Sequence, residues 1–66
     1  MSKIAFACRG DIKRDGIRVG WIERRDDYGP VTWRVRLTPA SGKPGVVGEY
    51  GLRREARQAA LDALAA

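Results

Sequence analysis

The sequence predicts an α+β fold, a three- or four-stranded antiparallel β-meander with one C-terminal α-helix packed on one face. Three observations carry that expectation. Val31 to Thr38 alternates without a break, placing Val31, Trp33, Val35 and Leu37 on one side of a strand and Thr32, Arg34, Arg36 and Thr38 on the other. Asp15-Gly16 lies between Ile12-Lys13-Arg14 and Ile17-Arg18-Val19, a good signal for a two-residue hairpin turn. Towards the C-terminus, Leu52, Ala56, Ala59, Ala60, Ala63 and Leu64 recur at spacings of three and four, which gathers them on one side of a helix.

The elements follow in order. Between Lys3 and Arg9, Ile4, Phe6 and Cys8 alternate, so residues 1–16 read as an N-terminal strand or apolar arm, ahead of a sheet over 17–50 and a helix over 52–65. The strand from Ile17 to Arg24 should place Ile17, Val19 and Trp21 on one face and Arg18, Gly20, Ile22 and Arg24 on the other. Residues 26–30 (Asp-Asp-Tyr-Gly-Pro) and residues 39–45 read as loops, with Val46 to Tyr50 as a short last strand. Gly51 is the expected helix cap. Alanines along the helix let it approach the sheet closely, leaving Trp21 and Trp33 to fill the core; Leu61 falls off the stripe. Phe6, Trp21, Trp33 and Tyr50 read as core residues, though stacking platforms for unpaired bases would use the same side chains. Cys8 reads as a small buried apolar group.

Sixty-six residues make a single small domain with a thin core and no room for a deep substrate cavity. The net charge is +5 and the pI about 10.2, and ten of the thirteen basic residues are arginine. Arginine forks onto phosphates and guanine edges, which fits a polyanionic partner. There is no histidine and Cys8 is alone, so the usual zinc, haem and nucleophile–base arrangements cannot be assembled. No catalytic residues, metal ligands or cofactor are expected. A single cysteine, no signal-like start and no long apolar run together lead to the expectation of a cytoplasmic, non-membrane protein, monomeric by default.

Two groups of residues are candidates for binding. Arg18, Arg24, Arg34, Arg36 and Thr38 would form a polar sheet face able to enter a major groove, with guanidinium groups at base edges. An ordinary solvated sheet face alternates in the same way. Arg53, Arg54 and Arg57, with Lys43, form the expected phosphate-binding group. Cations in a first helical turn oppose the macrodipole, so their presence there points to some demand other than helix stability.

From Gly20 to Ala60 the order of features resembles the three-stranded DNA-binding domains of tyrosine-recombinase arm regions and of plant ethylene-response factors. The matching pieces are Gly20-Trp21-Ile22-Glu23-Arg24, Trp33-Arg34-Val35-Arg36-Leu37, a turn with Gly42-Lys43, Val47-Gly48-Glu49-Tyr50, and Glu55-Ala56-Arg57-Gln58-Ala59. The resemblance implies that the sheet face opposite the helix enters the groove, through Arg24, Arg34, Arg36 and Thr38. Ile22 stands where the plant family favours arginine, and Leu52 where it favours a threonine cap. Arg53-Arg54-Glu55-Ala56-Arg57-Gln58-Ala59-Ala60 also looks like the last helix of double-stranded-RNA-binding domains, where the basic residues grip phosphates. That family opens with a helix, whereas residues 1–25 here hold strand and turn signals. The sequence therefore leads first to a duplex-DNA-binding protein, such as a phage or mobile-element accessory protein. Double-stranded RNA, or an acidic protein met by an interaction module or phage-encoded inhibitor, are the alternatives.

Overall fold

Asp15 and Gly16 turn the chain between β2 (Asp11–Arg14) and β3 (Ile17–Arg25). Both sit at positive φ, 53° and 85°, as a type I′ hairpin turn demands. The structure is a computed structural model that describes residues 3–27 and 29–65. Tyr28, expected in the loop over 26–30, lies outside the described residues, as do residues 1–2 of the N-terminal arm. The strands run β1 (Ile4–Phe6), β2, β3, β4 (Thr32–Leu37) and β5 (Gly45–Tyr50), each hydrogen-bonded antiparallel to the next in chain order. Helix α1 (Arg53–Ala65) completes an α+β fold. The sheet has five strands rather than three or four. The addition lies in the N-terminal segment, expected as a single strand or arm, which holds two strands, β1 and the β2 leg of the Asp15-Gly16 hairpin.

Two β-bulges decide which side chains face the helix. Lys13 pairs with Arg18 and Ile12 with Gly20, so Val19 is the extra residue in β3. Val19 and Gly20 are both buried, and alternation restarts one residue out of phase. Ile22 consequently turns into the core at 7% exposure, and Trp21 turns to the open face. The expected faces of β3 are therefore corrected: Trp21 does not fill the core, and Gly20, Ile22 and Arg24 do not share a side with Arg34 and Arg36. Beyond the bulge Arg24 pairs with Trp33 and Ile22 with Val35, on the helix side. A second bulge lies between the pairs Val35–Gly48 and Arg36–Val46, with Val47 as the extra residue.

The core consists of Ile12, Val19, Ile22, Val35 and Leu37 from the sheet and Ala56, Ala60 and Leu64 from the helix. Ile4, Phe6, Trp33, Val47, Tyr50 and Ala63 pack against it. Ala56 and Ala60 are fully buried, because a side chain no longer than Cβ lets α1 lie close upon β4 and β5. Ile17 at 62% and Leu52 at 47% exposure stay outside, contrary to their expected places on apolar faces. Leu61 lines a cleft with Ile4 and Leu64 beside β1, which accounts for its position off the alanine stripe.

The ends of α1 are treated differently. Leu52, not Gly51, holds the N-cap position: its carbonyl accepts from the amides of Glu55 and Ala56 at 3.1 and 3.2 Å. A leucine side chain offers no acceptor to the first-turn amides. At the other end, Arg14 donates to the Leu64 carbonyl at 2.8 Å and Lys43 to the Ala63 carbonyl at 3.1 Å. Both cations complement the negative end of the helix dipole.

Candidate functional site

Open-face arginines are tied to carboxylates. Arg18 Nε lies 3.1 Å from Asp11, Arg25 Nη2 3.0 Å from Asp27, and Arg36 Nη1 3.7 Å from Glu23. Arg34 donates through Nε at 2.9 Å, and also through Nη2, to Glu49 Oε1. Register enforces part of this lattice, since Arg34 lies directly opposite both Glu23 on β3 and Glu49 on β5. The Arg34 hydrogen bond holds the Glu49 carboxyl below its ordinary value of 4.5. Trp21 stands among these charges. Arg18 lies over its ring at 4.7 Å, Arg36 at 6.0 Å, and its Nε1 donates to Glu23 at 2.6 Å. Thr38 is turned inward to its neighbours, its hydroxyl 3.5 Å from the Arg18 carbonyl that accepts from it.

Such a face presents phosphates with carboxylates as well as guanidiniums. A groove of about 500 Å³ lies there, lined by Arg25, Asp27, Pro30, Thr32, Arg34 and Glu49. Its two arginines are the partners of its two carboxylates. An incoming nucleic acid would have to separate these pairs and then face the released negative charge, and like charges brought together in an interface are strongly unfavourable.

A different distribution appears where the β1–β2 loop meets the helix start. Arg9 from the loop, Arg24 from β3 and Arg53 from α1 converge on a pocket of about 250 Å³ whose other walls are Cys8, Gly10, Ile22 and Trp33. The loop is pinned there by two backbone bonds, Gly10 N–H to the Ala7 carbonyl at 2.9 Å and Ile22 N–H to the Gly10 carbonyl at 2.8 Å. Gly10 is required for this approach. It has φ of 96°, and a Cβ on it would lie 2.5 Å from the Ile22 carbonyl oxygen. Arg53 lies over the Trp33 ring at 5.7 Å and donates to the Cys8 carbonyl at 3.5 Å. One turn on, Arg57 lies over Phe6 at 5.5 Å. Arg54 is exposed, and neither it nor Arg9 has a side-chain hydrogen bond or ion pair among the described residues. Carboxylates are sparse at this end: Asp26 lies 3.7 Å from Arg24, with both side chains more than half exposed, and Glu55 sits in the first helical turn.

The predicted binding residues are thus redistributed. Arg18, Arg34, Arg36 and Thr38 share the open face, as expected, while Arg24 joins Arg53 on the helix side because of the β3 bulge. Lys43 leaves the phosphate-binding group. It serves the helix C-terminus, ten residues and roughly 15 Å from Arg53 at about 1.5 Å per residue. Arg9 is not marked as a binding residue by the sequence, because it follows the alternating Ile4–Cys8 run in a short loop whose approach to α1 no local period encodes. Its signal is the Arg9-Gly10 pair, a cation beside a residue that allows close backbone approach. Cys8 is exposed rather than buried. Among the described residues no helix is long and apolar enough to cross a membrane, and no cluster of metal-binding side chains occurs. Comparison with protein-family models, curated proteins and solved structures finds no match for this chain.

Proposed function

We propose that this chain is a nucleic-acid-binding module, with duplex DNA as its first ligand, held through phosphates at its basic end rather than through bases read by the sheet. The segregation of charge carries this reading. Arg18, Arg25, Arg34 and Arg36 on the open face each hold a carboxylate. Among the described residues Arg9, Arg53, Arg54 and Arg57 hold none, and Arg24 holds Asp26 at the same 3.7 Å as Arg36 holds Glu23 but with both side chains more exposed. Unpaired arginines release condensed counterions when they meet phosphates, and that release drives polyelectrolyte binding. The placement of Arg53, Arg54 and Arg57 at the helix start, where they work against the helix dipole, fits a surface selected for an anionic partner.

The test is a salt series. Anisotropy of a short labelled duplex should give a linear fall of log affinity with log salt. Arg54→Gln and Arg57→Gln should each flatten the slope by about 0.9 for every phosphate no longer neutralised, and should weaken unrelated sequences alike. Arg36→Gln should leave slope and affinity unchanged. If Arg36→Gln weakens binding instead, the sheet face is the site. If neither DNA nor RNA binds at low salt, the reading is wrong and an acidic protein partner takes its place.

A further inference from the structure

We infer that the pocket between the β1–β2 loop, β3 and the start of α1 is a site for a terminal phosphate monoester on a nucleic-acid strand. This rests on the nucleic-acid reading and adds to it the kind of phosphate preferred. Three arginines from three separate elements, Arg9, Arg24 and Arg53, line one concavity of about 250 Å³. Its floor is closed by the buried residues Gly10 and Ile22, and one wall is the Trp33 ring.

Shape and charge both select the monoester. An internal phosphodiester has one negative charge and chain leaving it in two directions, so it suits a ridge or open groove. A terminal phosphate has one ester arm, carries close to two negative charges at pH 7 and offers three acceptor oxygens. A pocket lined by three arginines, whose forked donors can turn onto one ligand, matches that group. The volume lies just under the roughly 300–1,000 Å³ usual for whole small-molecule ligands. It therefore accommodates the phosphate with part of its sugar, and the rest of the strand continues outward along α1 towards Arg54 and Arg57. Arg24 must exchange Asp26 for the ligand. That pair is solvent-exposed on both sides and 3.7 Å long, a geometry that holds little free energy.

The experiment compares the same strand with a 5′-phosphate and with a 5′-hydroxyl, binding full-length protein in one buffer. The phosphorylated strand should bind on the order of tenfold more tightly, the equivalent of one charge-assisted hydrogen bond. Arg24→Gln should reduce that ratio to about one, over and above the general weakening of both strands that loss of one cation from the basic end brings. Arg9→Gln should do the same, which guards against a folding defect in either variant. A nucleoside 5′-monophosphate should displace the phosphorylated strand, and the matching nucleoside should not. Equal affinity for the two ends overturns this inference and leaves the nucleic-acid reading standing. A preference that survives both substitutions places the contact outside this pocket and also overturns it. Failure of either strand to bind removes the nucleic-acid reading itself, and this inference with it.

Discussion

Trp21 and Trp33 look interchangeable in sequence, yet they lie on opposite sides of the sheet. Trp33 packs against the core, opposite Tyr50 and beneath Arg53. Trp21 lies among Arg18, Arg36 and Glu23 on the open face. Trp33→Ala should therefore cost roughly 3 kcal/mol, the lower end of the range for a buried aromatic since Trp33 is only half-buried, and leave so thin a core barely folded. Trp21→Ala forfeits two cation–ring contacts and should cost about 1 kcal/mol. Denaturant midpoints check the order; equal losses would mean that both rings are core. Glu49 gives a second prediction at this scale. Its carboxyl is held below 4.5 chiefly by the Arg34 hydrogen bond, so the unfolded chain takes up its proton at higher pH than the folded one. The stability from this pair is complete above the ordinary carboxylate value and is lost as pH falls through the depressed one. In Glu49→Gln the acid limb of the stability–pH curve should be shallower, and the difference from the parent should vanish at low pH. A constant offset at every pH would show that the Glu49 charge plays no part.

At the scale of elements, the hairpin turn, β4 and the alanine stripe of α1 were legible because each follows a local period or a local dihedral requirement. The faces of β3 were not, because a bulge adds one residue to one strand and shifts every side chain beyond it to the other side. A signal was present, however. Both bulges carry a Val–Gly doublet, Val19-Gly20 and Val47-Gly48, and an isolated glycine within a strand pattern marks such a site. At Gly20 the need is room, since an added Cβ would collide with the Arg36 carbonyl and lie 2.9 Å from Leu37 Cδ2. Gly20→Ala should accordingly cost about 1–3 kcal/mol through forced backbone displacement, read as a fall in denaturant midpoint. A neutral outcome would show that the bulge can relax. The site is only partly legible for the same cause. Arg53, Arg54 and Arg57 follow from helical spacing alone, whereas Arg9 and Arg24 reach them only through a loop and a shifted strand. The helix start also couples stability to binding. Arg54→Gln removes an unpaired cation from the first turn and should raise stability by about 0.3–1 kcal/mol while weakening nucleic acid binding. A fall in both would mean that Arg54 has a structural partner.

Across the molecule Asp11, Glu23, Asp27 and Glu49 pair with arginines of the open sheet face, whereas Arg9, Arg53, Arg54 and Arg57, which hold no carboxylate among the described residues, lie where loop and helix meet. That end carries five arginines against two nearby carboxylates, Asp26 and Glu55, in a body whose longest dimension is 38 Å. The ion-paired face is close to neutral at long range, since exposed charges separated by more than about 8–10 Å are screened at physiological salt. A polyanion approaching at that range meets its strongest net attraction at the basic end, which orients the encounter before any contact forms. Amide-shift mapping tests this orientation directly. Adding a short duplex in low salt should move the amides of residues 8–10, Arg24 and residues 53–57, with the Trp33 indole following as Arg53 shifts above it. The amides of Glu23, Arg34, Arg36 and Glu49 should stay in place, because their ion pairs remain closed. Raising the salt should return the shifted signals towards their free positions together, as expected of one electrostatic site. Shifts centred on β4 and its neighbours would place the ligand on the sheet instead. The Arg34–Glu49 and Arg36–Glu23 pairs would then be contacts that open on binding, and the basic end would lose its claim to the site.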